Sequence, residues 1–283
     1  MPLPSSGTIS LNQIHVEAGG SSNTTASLND ADIRAMIGKG SGVSNSFSEY
    51  HGVSASQPSV SFKGRATTTS NGFPAGYLTL SSGTKVVVVT LQLAGGPPYY
   101  GNTYCRIAPS PFNYGASSAM TLAAKIDTAS SNTNIWQARY TSAVYYLETS
   151  ISGSVYIFGD GGSGRSNLYV YEITGYNSST PYATATAQNT TYPGYSAGIT
   201  VNNQYNGLTI GSAITEDSYS ATGISVSNAD SVEQIHLESA SAHVAWYDSA
   251  TPNGNRTYTV TQTPGANVVS GSTLIQMSAA AWK

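Results

Sequence analysis

The chain has 283 residues, of which 9% are charged and 39% are hydrophobic, and its formal net charge is −3. Globular proteins average about 25% charged residues, so Ser, Thr, Asn, Gln and Gly must supply most of the polar surface. The hydrophobic fraction is sufficient for a core, and the charge excludes an extended basic surface for nucleic acid.

Cys105 is the single cysteine, which excludes an intrachain disulfide and a cysteine-based zinc site. Residues 1–10 lack the basic and apolar regions of a signal peptide. The longest aliphatic run, 86–89, is far shorter than the roughly 20 residues of a membrane-spanning helix. We therefore expect a protein that is made in the cytosol and does not span a membrane, although its composition is typical of a particle surface.

Three short helical turns are predicted within residues 1–56. Each begins at a serine that has an acidic or amide side chain three residues later, as in a capping box: Ser10 with Gln13, Ser27 with Asp30, and Ser46 with Glu49. Each ends near a glycine, which favours a left-handed C-terminal stop: Gly19, Gly38 and Gly52.

The apolar residues of these turns are few for a module that must be stable by itself. Two interpretations remain: a small domain packed on the rest of the chain, or a docking module that completes its core on a partner. The small size favours docking, for which the candidate residues are Leu11, Ile14, Leu28, Ile33, Met36, Ile37, Phe47 and Tyr50.

The segments LPSSGTISLNQI, SLNDADIRAMIGKGSG and SFSEYHG resemble the N-terminal segment of many virion proteins of tailed bacteriophages, especially marine ones. That segment reads LPSSG-x-ISL, then SLND-x-x-[IV]-R and SG, then SxSE-[FY]-x-G, and the similarity covers residues 2–52. The resemblance implies a structural protein of the virion, of the tail or tail-fibre type. It also implies a homo-oligomer, because trimers are usual for such fibres.

Residues 57–283 contain short alternating runs separated by turn-forming residues, which predicts an antiparallel sandwich or barrel. We predict strands at 59–68, 85–93, 119–127, 135–141, 154–160, 167–174, 198–203, 223–228, 231–238, 243–248, 256–263 and 272–282. The predicted fold is mainly β, with a small N-terminal module of short capped helical turns followed by one or two antiparallel, jelly-roll-like β-sandwich domains.

A weak internal repeat at an offset of 89 residues favours two similar units, since Val155 and Tyr169 recur as Val244 and Tyr258. A turn-rich stretch at 175–198 lies between them. We therefore divide the chain into a docking module (1–56), a first sandwich (57–176) and a second sandwich (177–283). A single body with one long loop is the alternative.

The histidines and carboxylates form no recognisable catalytic or metal-binding motif. His236 and His243 lie on predicted neighbouring strands, and we interpret them as ordinary strand residues rather than metal ligands. A glycosidase pair built from two distant carboxylates is a minor alternative. We expect no enzyme activity, no cofactor and no metal.

Aromatic loops are the remaining candidate binding elements. Tyrosine offers a large amphipathic surface at low entropic cost, in binding loops and in subunit contacts alike. We favour subunit contact, over contact with a host-envelope glycan or packing at the core edge, for Tyr99, Tyr100, Tyr104, Phe112, Tyr114, Tyr192 and Tyr195.

The favoured function is a tail-associated or fibre protein, assembled in the host cytoplasm and located on the virion. In this interpretation residues 1–56 dock onto other virion proteins and the β domains face outward, with a host glycan or receptor as a further candidate partner. The alternatives are a capsid decoration or head-fibre protein and, with least support, a lectin or glycan-active enzyme.

Overall fold

The computed structural model describes residues 3–37, 39–40, 42–52, 57–68, 75–95, 104–109, 114–129, 139–160, 164–176, 178–190, 195–203, 207–216, 223–237, 241–249, 254–263 and 274–283. We call residues 3–52 the head and residues 57–283 the body. The head contains three short helices and the body consists of antiparallel sheets, which confirms the prediction of a mainly β protein. None of the helices in the described ranges has the length and apolarity needed to cross a membrane.

Two of the three helices of the head begin where the capping residues predict. The three helices are α1 (Leu11–Glu17), α2 (Ala31–Ala35) and a 3-10 helix (Phe47–Tyr50). At the first, Gln13 N donates to Ser10 Oγ (3.2 Å) and Ser10 N donates to Gln13 Oε1 (2.8 Å). The last has the same reciprocal cap. The middle helix begins later than predicted, because Asp30 is its N-cap and accepts a hydrogen bond from Ser27 N at 2.8 Å.

The head encloses a core of its own. Ile14, Ile33 and Tyr50 are fully buried, and Leu3 and Ala18 are nearly so. Leu3 precedes the first helix, so the chain start contributes to this core as well as the three helices. The head therefore forms a core from few apolar residues because every part of the segment contributes to it.

The first part of the body forms two sheets from nine strands. The strands are β1 (Ser59–Thr68), β2 (Ala75–Leu80), β3 (Lys85–Gly95), β4 (Tyr104–Pro109), β5 (Ser118–Ala119), β6 (Thr121–Ala129), β7 (Arg139–Thr149), β8 (Gly153–Asp160) and β9 (Gly164–Thr174), with a 3-10 helix at Tyr114–Ala116. Sheet 1 has the order β1-β9-β3-β7-β6 and sheet 2 the order β2-β8-β4-β5. Val87, Val89 and Leu91 of sheet 1 pack against Ile107 and Ile157 of sheet 2, and together they form one core.

The second part of the body forms two further sheets from eight strands. The strands are β10 (Ala183–Asn189), β11 (Ser196–Asn203), β12 (Leu208–Glu216), β13 (Gly223–Val226), β14 (Ser231–Leu237), β15 (Ser241–Asp248), β16 (Gly254–Thr263) and β17 (Leu274–Trp282). Sheet 3 has the order β10-β17-β12-β15-β14 and sheet 4 the order β11-β16-β13. Val244, Trp246 and Met277 of sheet 3 pack against Ile199 and Tyr258 of sheet 4.

The two pairs of sheets share one topology. If β10–β13 are matched to β1–β4 and β14–β17 to β6–β9, the order of sheet 1 becomes that of sheet 3, and the order of sheet 2 becomes that of sheet 4 apart from β5. The first strand pairs with the last, and the second with the one before last, as in a jelly roll.

The repeat at an offset of 89 residues is not this structural repeat. It aligns Val155 of β8 with Val244 of β15, whereas the topology matches β8 to β16. The sequence repeat is therefore displaced by one strand from the structural repeat. The displacement arises because neighbouring antiparallel strands share the same alternation of apolar and polar residues.

The two sandwiches pack against each other through sheets 1 and 3. Val86 and Tyr171 of sheet 1 share an apolar cluster with Ile210 and Trp282 of sheet 3. In the middle of this interface three buried serines meet, since Ser142 Oγ lies 2.9 Å from Ser212 Oγ and 2.8 Å from Ser278 Oγ. The body is therefore a stack of four layers, in the order 2, 1, 3, 4.

Several strands differ from the prediction. The sequence analysis missed β2, β4, β10 and β12, and it placed at 135–141 a strand that the structure continues to Thr149. β10 consists mainly of Ala and Thr and lacks the bulky alternation on which the prediction relied, whereas β12 alternates Leu208, Ile210 and Ile214 with smaller residues and was overlooked. The closing strand β17 was predicted correctly, and all nine of its residues are buried.

Replacement of Trp282 by Ala tests the packing between the sandwiches. This indole is fully buried in the interface and its Nε1 donates to Ser179 O at 3.0 Å. We expect the free energy of unfolding to fall by about 3–5 kcal/mol in urea titrations, because a large cavity forms. Leu122→Ala, at a side chain that is 46% exposed, is the control and should cost less than about 1 kcal/mol. Equal losses in the two variants would contradict the interface.

Candidate functional site

The predicted docking residues fall into three groups in the structure: buried, half-buried and exposed. Ile14, Ile33 and Tyr50 lie inside the head's own core, so their side chains are used within the chain. Four others are half-buried around that core: Leu11, Leu28, Met36 and Ile37. Phe47 is 40% exposed, which leaves it as the predicted docking residue that is most available to a partner.

Arg34 holds the loop that follows α2, a role that the sequence analysis did not anticipate. Its side chain is buried, and Nε and Nη2 both donate to Gly40 O, at 2.9 and 2.6 Å. Nη1 donates to Asn29 Oδ1 at 3.0 Å, and Nη2 also donates to Val43 O. A planar guanidinium suits such a cluster of acceptors, because its five donors have a fixed geometry.

The same loop carries an ion pair at its surface. Lys39 Nζ pairs with the Glu49 carboxylate and donates to Ser44 O at 2.6 Å. Hydrogen bonds from Lys39 and from Ser46 N lower the pKa of Glu49. Arg34 and Glu49 thus help to hold the head in shape.

Two apolar side chains project from this region. Val43 is 50% exposed and Phe47 is 40% exposed, and they lie four positions apart in the chain. Phe47 occupies the unspecified position of SxSE-[FY]-x-G, whereas its neighbours Ser46 and Glu49 form the cap. We call Val43 and Phe47 the head patch.

The head meets the body near the end of β17. Lys283 Nζ donates to Ala18 O at 3.5 Å. Burial lowers the pKa of Lys283, and the charge of Asp32 in the head acts in the opposite direction. The cores of the body contain no residue of the head among those described.

The aromatic loop residues are only partly placed. Tyr104 is half-buried in β4, and Tyr195 is half-buried with its carbonyl accepting from Gln262 N at 2.8 Å. The backbone of Tyr114 belongs to a 3-10 helix. The remaining four lie outside the described residues: Tyr99, Tyr100, Phe112 and Tyr192. Subunit contact stays a prediction for all seven.

The sequence analysis missed an aromatic row on the outer face of sheet 2. Tyr77 is 58% exposed, and its ring centroid lies 4.8 Å from that of Tyr156, which in turn lies 5.7 Å from Phe158. Tyr77 and Tyr156 are directly paired across β2 and β8. The row was not detected because β2 itself was not predicted.

The buried carboxylates of the body have structural partners. Asp248 forms an ion pair with Arg256 (2.5 Å) and accepts from the Tyr258 hydroxyl at 2.7 Å. Glu172 accepts from Ser81 N and Ser81 Oγ, both at 2.7 Å, and lies 3.1 Å from Lys63 Nζ. Within the described ranges no three His, Cys, Asp or Glu residues are grouped as metal ligands.

The histidine pair considered as a metal site is out of register. His243 is paired with Ile235 across β14 and β15, and His236 is paired with Ala242. Cys105 is buried, and burial raises the pKa of its thiol far above the usual range, so it is held as an uncharged core residue.

A solvent-open groove lies where the sandwiches meet, with a volume of about 310 Å³. Its lining is formed by Gln57, Pro58, Ser59, Val60, Tyr247 and Ser249. The Tyr247 ring lies 6.1 Å from that of Tyr171, whose buried hydroxyl has no hydrogen-bond partner. Burial and the charge of Glu233 raise the pKa of Tyr171. The groove thus offers polar groups and one aromatic ring to a small ligand.

Comparison with protein-family models, curated proteins and solved structures finds no match to this chain.

Replacement of Arg34 by Met tests how the head is held. The change keeps an aliphatic stem but leaves the carbonyls of Gly40 and Val43 without their donor. We expect the head to lose about 2–4 kcal/mol of local stability, measured by amide hydrogen exchange across residues 11–50. Lys39→Met removes an ion pair at the surface and should leave the exchange rates nearly unchanged. An unchanged exchange rate in Arg34→Met would show that the loop does not depend on it.

Replacement of Glu172 by Gln tests the Ser81–Lys63 network. Burial alone would raise the pKa of Glu172, but the hydrogen bonds from Ser81 and Lys63 outweigh it and lower the pKa. A lowered folded-state pKa stabilises the fold above the unfolded-state pKa, and this stabilisation disappears as the pH falls through the folded-state value.

We therefore expect the variant to be less stable by about 1–3 kcal/mol near neutral pH. The difference from the native chain should shrink as urea titrations are repeated at lower pH, through the folded-state pKa of Glu172, because the native carboxyl then becomes protonated as well. A difference that is constant over this range would contradict the role of the charge.

Proposed function

We propose that this chain is a structural component of a tailed-bacteriophage virion, specifically a tail-associated or fibre protein. In this proposal the head attaches it to other virion proteins and the body faces outward. The protein has no catalytic role in the proposal, and its location is the surface of the assembled particle.

The observation that carries the proposal is the construction of the head. It has its own core, separate from the cores of the body, and the residues shared with the phage segment cap its helices or clamp its loop. A segment whose recurring residues maintain a small independent fold is suited to serve as a common adaptor before different bodies. The exposed head patch provides an apolar contact for the partner.

The body supports the proposal in a more general way. Jelly rolls occur in viral capsid proteins and lectins, and such closed sandwiches present rigid surfaces. The body contains few charges, and its buried acids at 172 and 248 are engaged with Lys63 and Arg256. Rigidity and low charge suit a component that is assembled in many copies.

The same head could instead attach the protein to the capsid. The position of the protein on the particle therefore decides between a tail protein and a capsid protein. Purified virions labelled with an antibody against residues 57–283 should show label on the tail. Label on the head would select a capsid decoration or head-fibre protein. Label at neither place would overturn the structural role.

Replacement of Phe47 by Ser tests docking through the head patch. The side chain is exposed, so the head should keep its fold, as checked by circular dichroism and amide exchange. We expect incorporation into virions, measured by immunoblot of purified particles, to fall at least about tenfold, because a buried apolar contact of this size is worth roughly 1.5–3 kcal/mol.

Leu122→Ser on β6 is the matched control, because that side chain is exposed to a similar degree, 46%. It should leave incorporation unchanged. Deletion of residues 1–52 should abolish incorporation completely. If the truncated chain still enters particles, the head is not the docking element.

A further inference from the structure

A row of polar side chains crosses the interface between the two sandwiches. On sheet 1, Asn167, Gln92 and Ser142 are neighbours in register on β9, β3 and β7. On sheet 3, Ser212 and Ser278 are neighbours in register on β12 and β17. The Ser142 hydroxyl lies within hydrogen-bond distance of both of these serines, so the two sets face each other. We call these five residues the polar row, and all of them are fully buried.

The two amides of the polar row have only part of their hydrogen bonds within the protein. Gln92 Nε2 donates to Thr90 Oγ1 at 3.2 Å, but Gln92 Oε1 has no partner among the described residues. Asn167 Oδ1 accepts from Thr67 Oγ1 at 2.7 Å, but Asn167 Nδ2 has no partner there either. Gln92 and Asn167 are directly paired across β3 and β9, so the unpaired acceptor and the unpaired donor belong to adjacent side chains.

Two hydroxyl groups on the same face of β9 are also unpaired. Tyr169 and Tyr171 are fully buried, and neither hydroxyl has a hydrogen-bond partner in the part of the chain that the structure describes. Burial raises the pKa of both phenols. The charge of Glu233, on the facing sheet, acts in the same direction, whereas Arg65 opposes it at Tyr169. Both phenols therefore stay protonated, and each has an O–H donor that no described group accepts.

Four unpaired groups at this depth would be costly without further partners. A buried donor or acceptor that is left unpaired loses more than an ordinary hydrogen bond contributes. Four such groups would offset a large part of the small net stability of a folded domain. Proteins usually satisfy such groups with internal water, of which a chain of this length ordinarily holds about ten molecules. A water molecule can accept from a donor and donate to an acceptor at the same time, as the two amides require.

The residues that face the amides are small. β3 lies against β12 and β15 of sheet 3. Ser212 on β12 is paired with Ala245 on β15, and Ala245 shares an apolar cluster with Tyr169 and Tyr171. Sheets that pack face to face are about 10 Å apart, a distance that serine and alanine fill less completely than large aliphatic residues do. Short side chains opposite long amides thus favour a hydrated contact at this position.

We propose that the interface between the sandwiches binds internal water molecules beside the polar row. One water molecule accepts from Asn167 Nδ2 and donates to Gln92 Oε1, and further water accepts from the hydroxyls of Tyr169 and Tyr171. These molecules complete the hydrogen bonding on the inner face of sheet 1, between the apolar clusters of the interface. The inference goes beyond the proposed function and does not depend on it.

A crystal structure of the full chain, at a resolution that shows ordered water, tests the amide site directly. We expect a water molecule within about 3.2 Å of both Gln92 Oε1 and Asn167 Nδ2. An interface without water at these two atoms overturns the proposal. Amides that are turned so that both atoms pair directly with protein groups overturn it as well.

Tyr171→Phe and Tyr169→Phe distinguish hydrated hydroxyls from dry ones in solution. Removal of a hydroxyl that is bound to water loses a hydrogen bond, so we expect each variant to melt about 2–4 °C below the native chain. Removal of a dry, unpaired hydroxyl removes a cost instead and would raise the melting temperature. An unchanged or higher melting temperature in both variants overturns hydration of the phenols.

Tyr77→Phe is the matched control, because it removes the same group from a side chain that is 58% exposed. Its hydroxyl is in contact with solvent before and after unfolding, so the melting temperature should stay that of the native chain. Circular dichroism verifies that all three variants keep the native fold. A control that melts as far below the native chain as Tyr171→Phe would show that the loss does not come from the buried site, and would overturn the proposal.

Discussion

Sheets 1 and 3 are each covered on both faces, and the rest of the architecture depends on this constraint. One face of each sheet completes a sandwich core and the other forms the interface between the sandwiches. A central strand of such a sheet has no side facing water, so charges there must be absent or locally paired. Ser, Thr, Asn and Gln replace them, as the Ser142, Ser212 and Ser278 cluster shows. The polar, charge-poor composition of the chain, which is typical of a particle surface, thus comes in part from residues in the interior of the body.

This constraint also explains which strands the sequence could reveal. β11, in outer sheet 4, faces water on one side and alternates, and the edge strand β1 has exposed side chains at 59, 61, 65 and 67. Both strands were predicted with nearly the observed bounds. β12 is buried throughout the part whose side chains are placed, and its large residues Leu208, Ile210 and Ile214 alternate with small residues rather than with exposed polar ones, so its pattern is a weak strand signal. The caps of the head were predictable because a cap involves residues three positions apart. The pairing of β1 with β9 joins residues more than a hundred positions apart, and no local pattern specifies it.

The candidate site shows the same division between local and distant information. Ile33, Met36 and Ile37 were predicted as docking residues, but a five-residue helix does not reveal whether the apolar side chains in it and after it face their own module or a partner. The structure turns Ile33 inward, because Leu3, Ile14 and Tyr50 come from separate parts of the head to meet it. Phe47 is the docking candidate whose side chain stays exposed, and nothing in the sequence distinguishes it from the other docking candidates. Arg34 belongs to one of the sequence motifs, but its role could not be predicted from them. Its acceptors are the backbone carbonyls of residues 40 and 43, and any residue type provides a backbone carbonyl.

The duplicated topology gives the two sandwiches equivalent positions, and a comparison of these positions separates the features that both folds need from those that only one of them has. Both need an apolar core and a doubly covered inner sheet, so those features recur in each. Only the first sandwich combines a bulge with charges at both edges of its inner sheet. Protection of an edge contributes little to the fold of one molecule, since its effect is on the approach of another chain. β10 has neither the charge nor the register shift, yet it packs Ala183, Ala185 and Ala187 against the second core, so the second sandwich holds together without edge protection at this strand.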